Sequence, residues 1–175
     1  GRDVLSRDAD VVVIQFGVND SVVDIPRGED FPAIAPGAYR SNLIDMITTV
    51  RGADSDVILL QPSATMWTDA LRESHGSYPY GVEDPWGFDR MVESYAEVAR
   101  RTAGSQRVPL VAVHDADRAR GPVATSAWRT DGWHPTDEAS AFQAQAVFDA
   151  LVARIESGDA KARRLSEHAA PSRGW

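Results

Sequence analysis

Two short polar blocks contain the residue types of an acid–base site. The first is Gly-Val-Asn-Asp, which follows an apolar run at residues 11–16 and contains Gly17, Asn19 and Asp20. In open α/β sheets, ligands bind just outside the carboxyl ends of strands, so the Asn19 amide would donate a hydrogen bond into a crevice. The alternative is a plain turn, because Asn and Asp hydrogen-bond to their own backbone in turns.

The second block lies at residues 130–136 and contains Asp131 and His134, three positions apart. An aspartate at this spacing can hold one imidazole nitrogen and leave the other as a general base. A helix is predicted to follow with Thr136 as its N-cap, and its dipole favours the neutral imidazole that a base requires. The alternative is a capping loop in which Asp131 bonds backbone amides and His134 is merely exposed.

The elements that must position these blocks alternate between strand and helix. Strands are predicted at residues 11–16, 56–60 and 108–113, and helices at residues 39–50, 88–101 and 136–155. This alternation predicts a parallel sheet covered by helices on both faces. The largely apolar run at residues 11–16 predicts a strand that is buried on both faces. Pro109 lacks a ladder donor, so the third strand is expected at a sheet edge or with Pro109 at its start.

A long aromatic insertion, residues 63–87, follows the second strand. It contains Trp67, His75, Tyr78, Tyr80 and Trp86. Connections of this length in a compact domain are usually functional or disordered, and the aromatic content argues against disorder. A substrate wall and a cluster packed on its own surface are both compatible with this composition.

Composition restricts the class of partner. The 175 residues are expected to form one domain at residues 1–157 and a polar tail at residues 158–175. A net charge of −8 argues against nucleic acid or an anionic membrane as partner. Without cysteine there is no thiolate metal site, and no histidine pair has metalloprotease spacing, so neither metal nor cofactor is expected. No transmembrane span or signal pattern is found, and the compartment stays open.

The two blocks, in this order and with the intervening helices and strands, resemble the SGNH (GDSL-type) hydrolases. The resemblance covers residues 11–151 and implies a three-layer α/β/α sandwich with a flavodoxin-like parallel sheet. It also implies a Ser-His-Asp triad in which His134 is the base, Asp131 orients it and Asn19 donates to the oxyanion. The residues expected to bind substrate are Gly17, Asp20, Trp67 and Trp133.

The chain departs from the SGNH pattern at the nucleophile. That family carries its serine in a Gly-Asp-Ser block after the first strand, and this sequence has no such block. We therefore expect about two β-α units before Gly1, on the order of 60 residues at roughly 30 per unit. The strand at residues 11–16 would then have an unpaired edge, and the chain alone would be marginally stable or self-associate. Ser21 and Ser63 also lie at strand ends, Ser21 being the better placed, but neither sits in a strand-to-helix elbow.

The expected function is ester hydrolysis, with an acetylated carbohydrate or a short-chain acyl ester as substrate. One alternative is a non-catalytic carbohydrate- or ester-binding module. A second is one chain of a two-chain hydrolase, completed by an N-terminal segment that carries the serine. A flavodoxin-like domain unrelated to hydrolysis is a third, although no Gly-rich phosphate loop is present to support nucleotide binding.

Overall fold

Three parallel strands form the only sheet in residues 2–157, the part of the chain that this computed structural model describes. They are β1 (Val11–Ile14), β2 (Asp56–Leu60) and β3 (Leu110–Val111), and β2 lies between the other two. In the register of the sheet, Val11 pairs with Asp56 and Leu59 pairs with Leu110. The polar tail predicted at residues 158–175 lies outside the described residues.

Helices make up most of the rest of the described chain. They are α1 (Arg2–Leu5), α2 (Val18–Ser21), α3 (Pro36–Gly52), α4 (Asp69–His75), α5 (Arg90–Gln106), α6 (Val113–Arg120), α7 (Pro122–Ser126) and α8 (Asp137–Glu156). The three long helices α3, α5 and α8 confirm the three predicted ones, and Thr136 caps α8 by accepting a hydrogen bond from Ala139 N at 3.3 Å. The short helices α2, α4, α6 and α7 were not predicted because they span too few residues to show a clear helical period. In residues 2–157, no helix has the length and apolar character that a membrane crossing needs.

The sheet is the middle layer of an α/β/α sandwich, as predicted. Side chains of a strand alternate between its two faces, and every residue of β2 is buried. Val57 and Leu59 pack with α3 and α5, whose core residues are Tyr39, Leu43, Ile47, Val50, Tyr95, Ala99 and Ala103. On the other face, Ile58 and Leu60 pack with α8 through Ala146, Val147, Ala150 and Leu151. Phe148, also on α8, faces away from the sheet and is 58% exposed.

The expectation that the first strand is buried on both faces is wrong. β1 ends at Ile14, and the side chains of Val13 and Phe16 are 45% and 54% exposed. The reason is that β1 pairs only with β2 among the described strands, so its other edge is open. A groove of about 430 Å³ runs along this edge and is lined mostly by apolar side chains, among them Val4, Leu5, Val12, Val13, Met46 and Val50. We call it the β1 groove.

The third strand is shorter than predicted. It has two residues, lies at the edge of the described sheet and begins directly after Pro109, as the missing proline donor requires. The chain turns into α6 at Val113, so His114 lies on a helix and not at a strand end. His114 is buried, and its Nε2 lies 2.8 Å from Asp89 Oδ2.

The aromatic insertion packs mainly on itself. We call the group Val23, Trp67, Leu71, Tyr80 and Phe88 the aromatic cluster. The rings of Trp67 and Tyr80 each lie 5.0 Å from the ring of Phe88, measured between centroids. The insertion contributes Trp67, Leu71 and Tyr80 to this cluster, and most of its other residues are exposed or half-buried. Among these, Tyr78 is 86% exposed.

Candidate active site

One cavity at the carboxyl end of the sheet brings the two polar blocks together. Its volume is about 430 Å³, within the usual range for small-molecule sites. The chain after β1, the chain after β2 and the loop before α8 all contribute to its wall, together with the first turns of α8. Of the residues predicted from the sequence, the cavity is lined by Gly17, Asn19, Asp20, Trp133 and His134.

Asp131 stands behind His134 and fixes its imidazole. Asp131 Oδ2 lies 2.8 Å from His134 Nδ1, and Asp131 Oδ1 accepts backbone N–H bonds from Trp133 at 3.0 Å and His134 at 2.9 Å. The His134 backbone bond, followed by its imidazole bond, lowers the pKa of Asp131 to about 2. An ionised carboxylate can only accept, so Nδ1 carries a proton and a neutral imidazole has its lone pair on Nε2. Asp131 therefore both caps the loop and orients the histidine.

The titration of Asp131 provides a direct test of this arrangement. Its folded-state pKa lies below the unfolded value of about 3.9, so these bonds stabilise the fold above that pH. The contribution is lost as the pH falls towards the folded-state pKa of about 2. In a ¹³C NMR titration, we expect a midpoint near 2 for wild type. We expect a higher midpoint in His134→Ala, still below about 3.9 because both backbone donors remain.

His75→Ala is the matched control for the Asp131 titration, because its Nδ1 bonds to Ser74 and makes no bond to Asp131. We expect it to leave the Asp131 midpoint unchanged. A wild-type midpoint at the unfolded value would show that the three bonds to Asp131 do not form in solution.

A tight backbone contact holds the loop between Asp131 and His134. Gly132 has φ of 89°, and its carbonyl accepts a hydrogen bond from Met66 N at 2.8 Å. A Cβ at this position would lie 2.4 Å from Met66 O and 2.6 Å from Leu71 Cδ1. Glycine is therefore required for both backbone conformation and space.

We expect Gly132→Ala to lower the free energy of unfolding by at least about 2 kcal/mol, because the strained φ and the backbone clash add. Urea unfolding measures the loss, and the NMR signals of Asp131 and His134 should broaden or shift as the loop moves. Gly104→Ala on α5 is the control. Its Cβ would meet nothing within 4 Å, and we expect a gain of about 0.5–1 kcal/mol. Equal stability of the two variants would contradict the role of Gly132.

A buried ion pair joins the histidine loop to the chain after β2. Arg129 donates through Nη2 to Asp117 Oδ2 and through Nε to the carbonyl of Ala64, the latter at 2.7 Å. The same Asp117 oxygen accepts a hydrogen bond from Ala64 N at 3.0 Å. Both side chains are almost fully buried. Burial raises the pKa of Asp117, although the Arg129 charge opposes that shift. Sequence reasoning missed this pair because nothing in the spacing of the two residues indicates that they are buried or in contact.

A second buried carboxylate holds the next peptide group. Asp89 Oδ1 accepts a hydrogen bond from Thr65 N at 2.9 Å, and its Oδ2 contacts His114 Nε2. The peptide groups directly after Ser63 are thus held by two buried acidic side chains. This fixes the cavity wall at the end of β2.

Asn19 lies on α2, and the side chain of Tyr39 supports the turn that leads into this helix. Gly17, with φ of 123°, is the N-cap of the short helix α2, and a Cβ on it would lie 3.0 Å from the Tyr39 hydroxyl. That hydroxyl donates to the carbonyl of Phe16 at 2.9 Å. The side chain of Asn19 is exposed and makes no hydrogen bond to another described residue, so its amide can donate into the cavity. The supporting role of Tyr39 was not predicted.

The two serines at strand ends differ from expectation. Ser21 is fully buried, and its Oγ donates to the carbonyl of Val18 at 2.7 Å. The expectation that Ser21 is the better placed of the two is therefore wrong. Ser63 lines the cavity, where its Oγ accepts a hydrogen bond from Gln143 Nε2 at 2.9 Å.

Trp67 is the one predicted substrate contact that the structure keeps out of the cavity. It is 7% exposed, belongs to the aromatic cluster and donates through Nε1 to the carbonyl of Asp84 at 3.1 Å. Trp133 lines the cavity and contacts the aromatic cluster through Phe88, with ring centroids 4.9 Å apart. The aromatic cluster therefore borders the cavity through its contact with Trp133, and Trp67 does not line the cavity.

Comparison with known proteins gives one family and a set of similar folds. The model of the GDSL-like lipase/acylhydrolase family matches residues 1–142. The chain is similar in structure to the lipase/acylhydrolase from Enterococcus faecalis, with 21% identity and a TM-score of 0.65, over 87% of this chain and 66% of that one. No curated protein matches it.

Two further structures show the same fold. An alpha/beta hydrolase enzyme from the metagenome of Lake Arreo, Spain, has 24% identity and a TM-score of 0.64. A catalytic mutant of an acetylxylan esterase from Geobacillus stearothermophilus has 19% identity and a TM-score of 0.60. Each match covers 85% of this chain and 62% of the other. The chain thus spans less than two thirds of the length of the solved proteins that it resembles.

Proposed function

The chain belongs to the GDSL-like lipase/acylhydrolase family, and on that premise we propose that its cavity is the acyl-transfer site of a serine ester hydrolase. The observation that carries the proposal is the pairing of His134 Nδ1 with ionised Asp131 at 2.8 Å, beside a cavity that also contains Asn19. Acyl transfer to serine requires a base with its orienting carboxylate, a donor to the oxyanion and the serine itself. His134 with Asp131 provides the first of these, and Asn19 provides the second.

In the proposed reaction, His134 Nε2 accepts the serine proton as the serine oxygen attacks the ester carbonyl. The imidazolium that forms is stabilised by Asp131, and the Asn19 amide donates to the carbonyl oxygen as it becomes an oxyanion. His134 then returns the proton to the alcohol that leaves. Water repeats the sequence on the acyl-enzyme and releases the acid and the serine.

The nucleophilic serine is proposed to come from a segment outside residues 1–175 that pairs with the open edge of β1. Three observations support this. The chain contains no Gly-Asp-Ser, β1 leads directly into the turn that carries Asn19, and the β1 groove exposes apolar side chains such as Val13 along the edge. A parallel strand added there would end at the same side of the sheet as Asn19, where α/β enzymes place their ligands. The proposed occupant of the groove is therefore this serine-bearing segment.

An open apolar edge is also prone to self-association, which gives a test on the chain alone. We expect the isolated chain to form concentration-dependent dimers in analytical ultracentrifugation, and Val13→Lys to shift it to monomer because a charge on the edge blocks pairing. Val123→Lys, at a side chain that is 86% exposed on α7, is the control and should leave the dimer intact. A wild-type chain that is monomeric with a high melting temperature would count against an open edge.

The proposed substrate is an acetylated carbohydrate or a short-chain acyl ester. A fold shared with an acetylxylan esterase is compatible with the first, and the lipase/acylhydrolase family with both. The net charge of −8 disfavours a polyanionic partner such as nucleic acid. No membrane partner is proposed.

The test of the function is ester hydrolysis by the complete gene product. We expect turnover of 4-nitrophenyl acetate that a fluorophosphonate inhibits irreversibly, as required for a serine nucleophile. Saturable binding of an acetylated xyloside without any turnover would instead favour the binding-module alternative and overturn the proposal.

A further inference from the structure

Ser63 and Gln143 form a polar pair in the cavity wall that acyl transfer does not use. Gln143 lies on α8 and donates through Nε2 to Ser63 Oγ at 2.9 Å, and both residues line the cavity. With Ser63 Oγ accepting from Gln143, its hydroxyl proton is left to donate. Gln143 Oε1 accepts from no other described residue. The pair therefore offers one donor and one acceptor to a ligand.

The position of Ser63 is fixed by the buried residues described above, and Ser63 in turn holds the Gln143 amide. The peptide groups after Ser63 bond to Asp117 and Asp89, and the Ala64 carbonyl accepts from Arg129. Ser63 itself is 7% exposed. A hydrogen-bonding pair that is already ordered loses little conformational entropy when it binds a ligand, which is the property of a recognition subsite.

The charges of the side chains that line the cavity favour a neutral ligand over an anionic one. Among the described residues that line the cavity there is no Lys or Arg, and Asp20 is the one acidic side chain. A carboxylate or phosphate group on the substrate would find no cation here. A neutral hydroxyl fits, because it both donates and accepts and so matches Gln143 Oε1 and the Ser63 hydroxyl.

We propose that Ser63 and Gln143 form a subsite for a hydroxyl group on the alcohol portion of the ester, so that the preferred substrate is a neutral acetylated carbohydrate. This rests on the proposed function. The acetyl group carries no hydroxyl, so the recognised hydroxyl belongs to the sugar. A site built to bond a hydroxyl rejects an analogue without one, since its polar groups are then left unpaired.

The test is a ¹⁵N NMR titration of the 175-residue chain with methyl 2-O-acetyl-β-xyloside and, separately, ethyl acetate. We expect the xyloside to shift the side-chain amide signals of Gln143 and Asn19 saturably. We expect ethyl acetate to shift only those of Asn19. Ser63→Ala should weaken xyloside binding about five- to tenfold, the value of one hydrogen bond. Gln145→Ala on the same helix, whose amide bonds to Asp149, is the control and should leave the affinity unchanged.

The two amide signals separate failure of the subsite from failure of the function. A shift at Asn19 with none at Gln143 would overturn the subsite and leave the acyl site standing. No shift at either residue, in a chain whose dispersed ¹⁵N spectrum shows that it is folded, would overturn both. Hydrolysis of the xyloside in the sample, abolished by Ser63→Ala, would make Ser63 the nucleophile and also overturn the subsite.

Discussion

Replacing His134 with Ala is expected to lower kcat for ester hydrolysis by at least about 10⁴-fold in the protein that contains its serine. The reason is that no other described side chain is held by Asp131 as a base. The two remaining hydrogen bonds of Asp131 come from backbone N–H groups, which cannot accept a proton. The fold should survive, because the imidazole of His134 is 78% exposed and packs little. Steady-state kinetics with 4-nitrophenyl acetate measure the loss, and the melting temperature checks the fold.

His75→Ala is the matched control for His134. It removes a second imidazole whose ring also lies near Trp133, at 6.4 Å between centroids, but which does not line the cavity. We expect kcat to stay within about twofold of wild type, apart from any loss of folded protein. Near-full activity in His134→Ala would remove the assignment of the base.

Replacing Asn19 with Ala is expected to lower kcat by about 10²–10³-fold, the usual cost of losing one oxyanion donor. KM should change far less, because the bond strengthens only as the carbonyl oxygen gains charge. The side chain is exposed and makes no hydrogen bond within the described chain, so stability should be unaffected. The kcat and KM of the variant, measured with one acetyl ester, distinguish this role from simple substrate binding.

Asn42→Ala provides the comparison for Asn19. Asn42 is an exposed asparagine on α3 and lies outside the cavity that holds His134. Its loss should leave kcat unchanged. An Asn19→Ala variant that raises KM alone would show that the amide binds the ground state and would contradict the oxyanion role.

The parts of the fold that the sequence predicted are those with a clear period. β2 and the helices α3, α5 and α8 carry apolar residues at strand or helix spacing, and each lies where that spacing predicts. β1 shows why composition alone is insufficient. Its apolar run indicates a strand, but which face and edge are covered depends on neighbours, and Val13 remains half exposed.

The candidate site was predicted only in part for a similar reason. Asn19, Asp131 and His134 stand out because their types and spacing are local. Ser21 follows Asn19 by two residues, which favours it over Ser63 in the sequence. The single turn α2, which has no periodic signal, points the Ser21 hydroxyl inward instead. Trp67 looked like a substrate contact because a tryptophan has the same sequence signature in a core and in a binding wall.

The central claim is that His134 serves a serine that lies outside residues 1–175, and active-site labelling tests it most directly. The complete gene product is treated with a fluorophosphonate, digested, and mapped by mass spectrometry, with His134→Ala in parallel. We predict one adduct, on a serine outside this chain, that is absent from His134→Ala. An adduct on a serine within residues 1–175, or labelling that persists without His134, would contradict the claim.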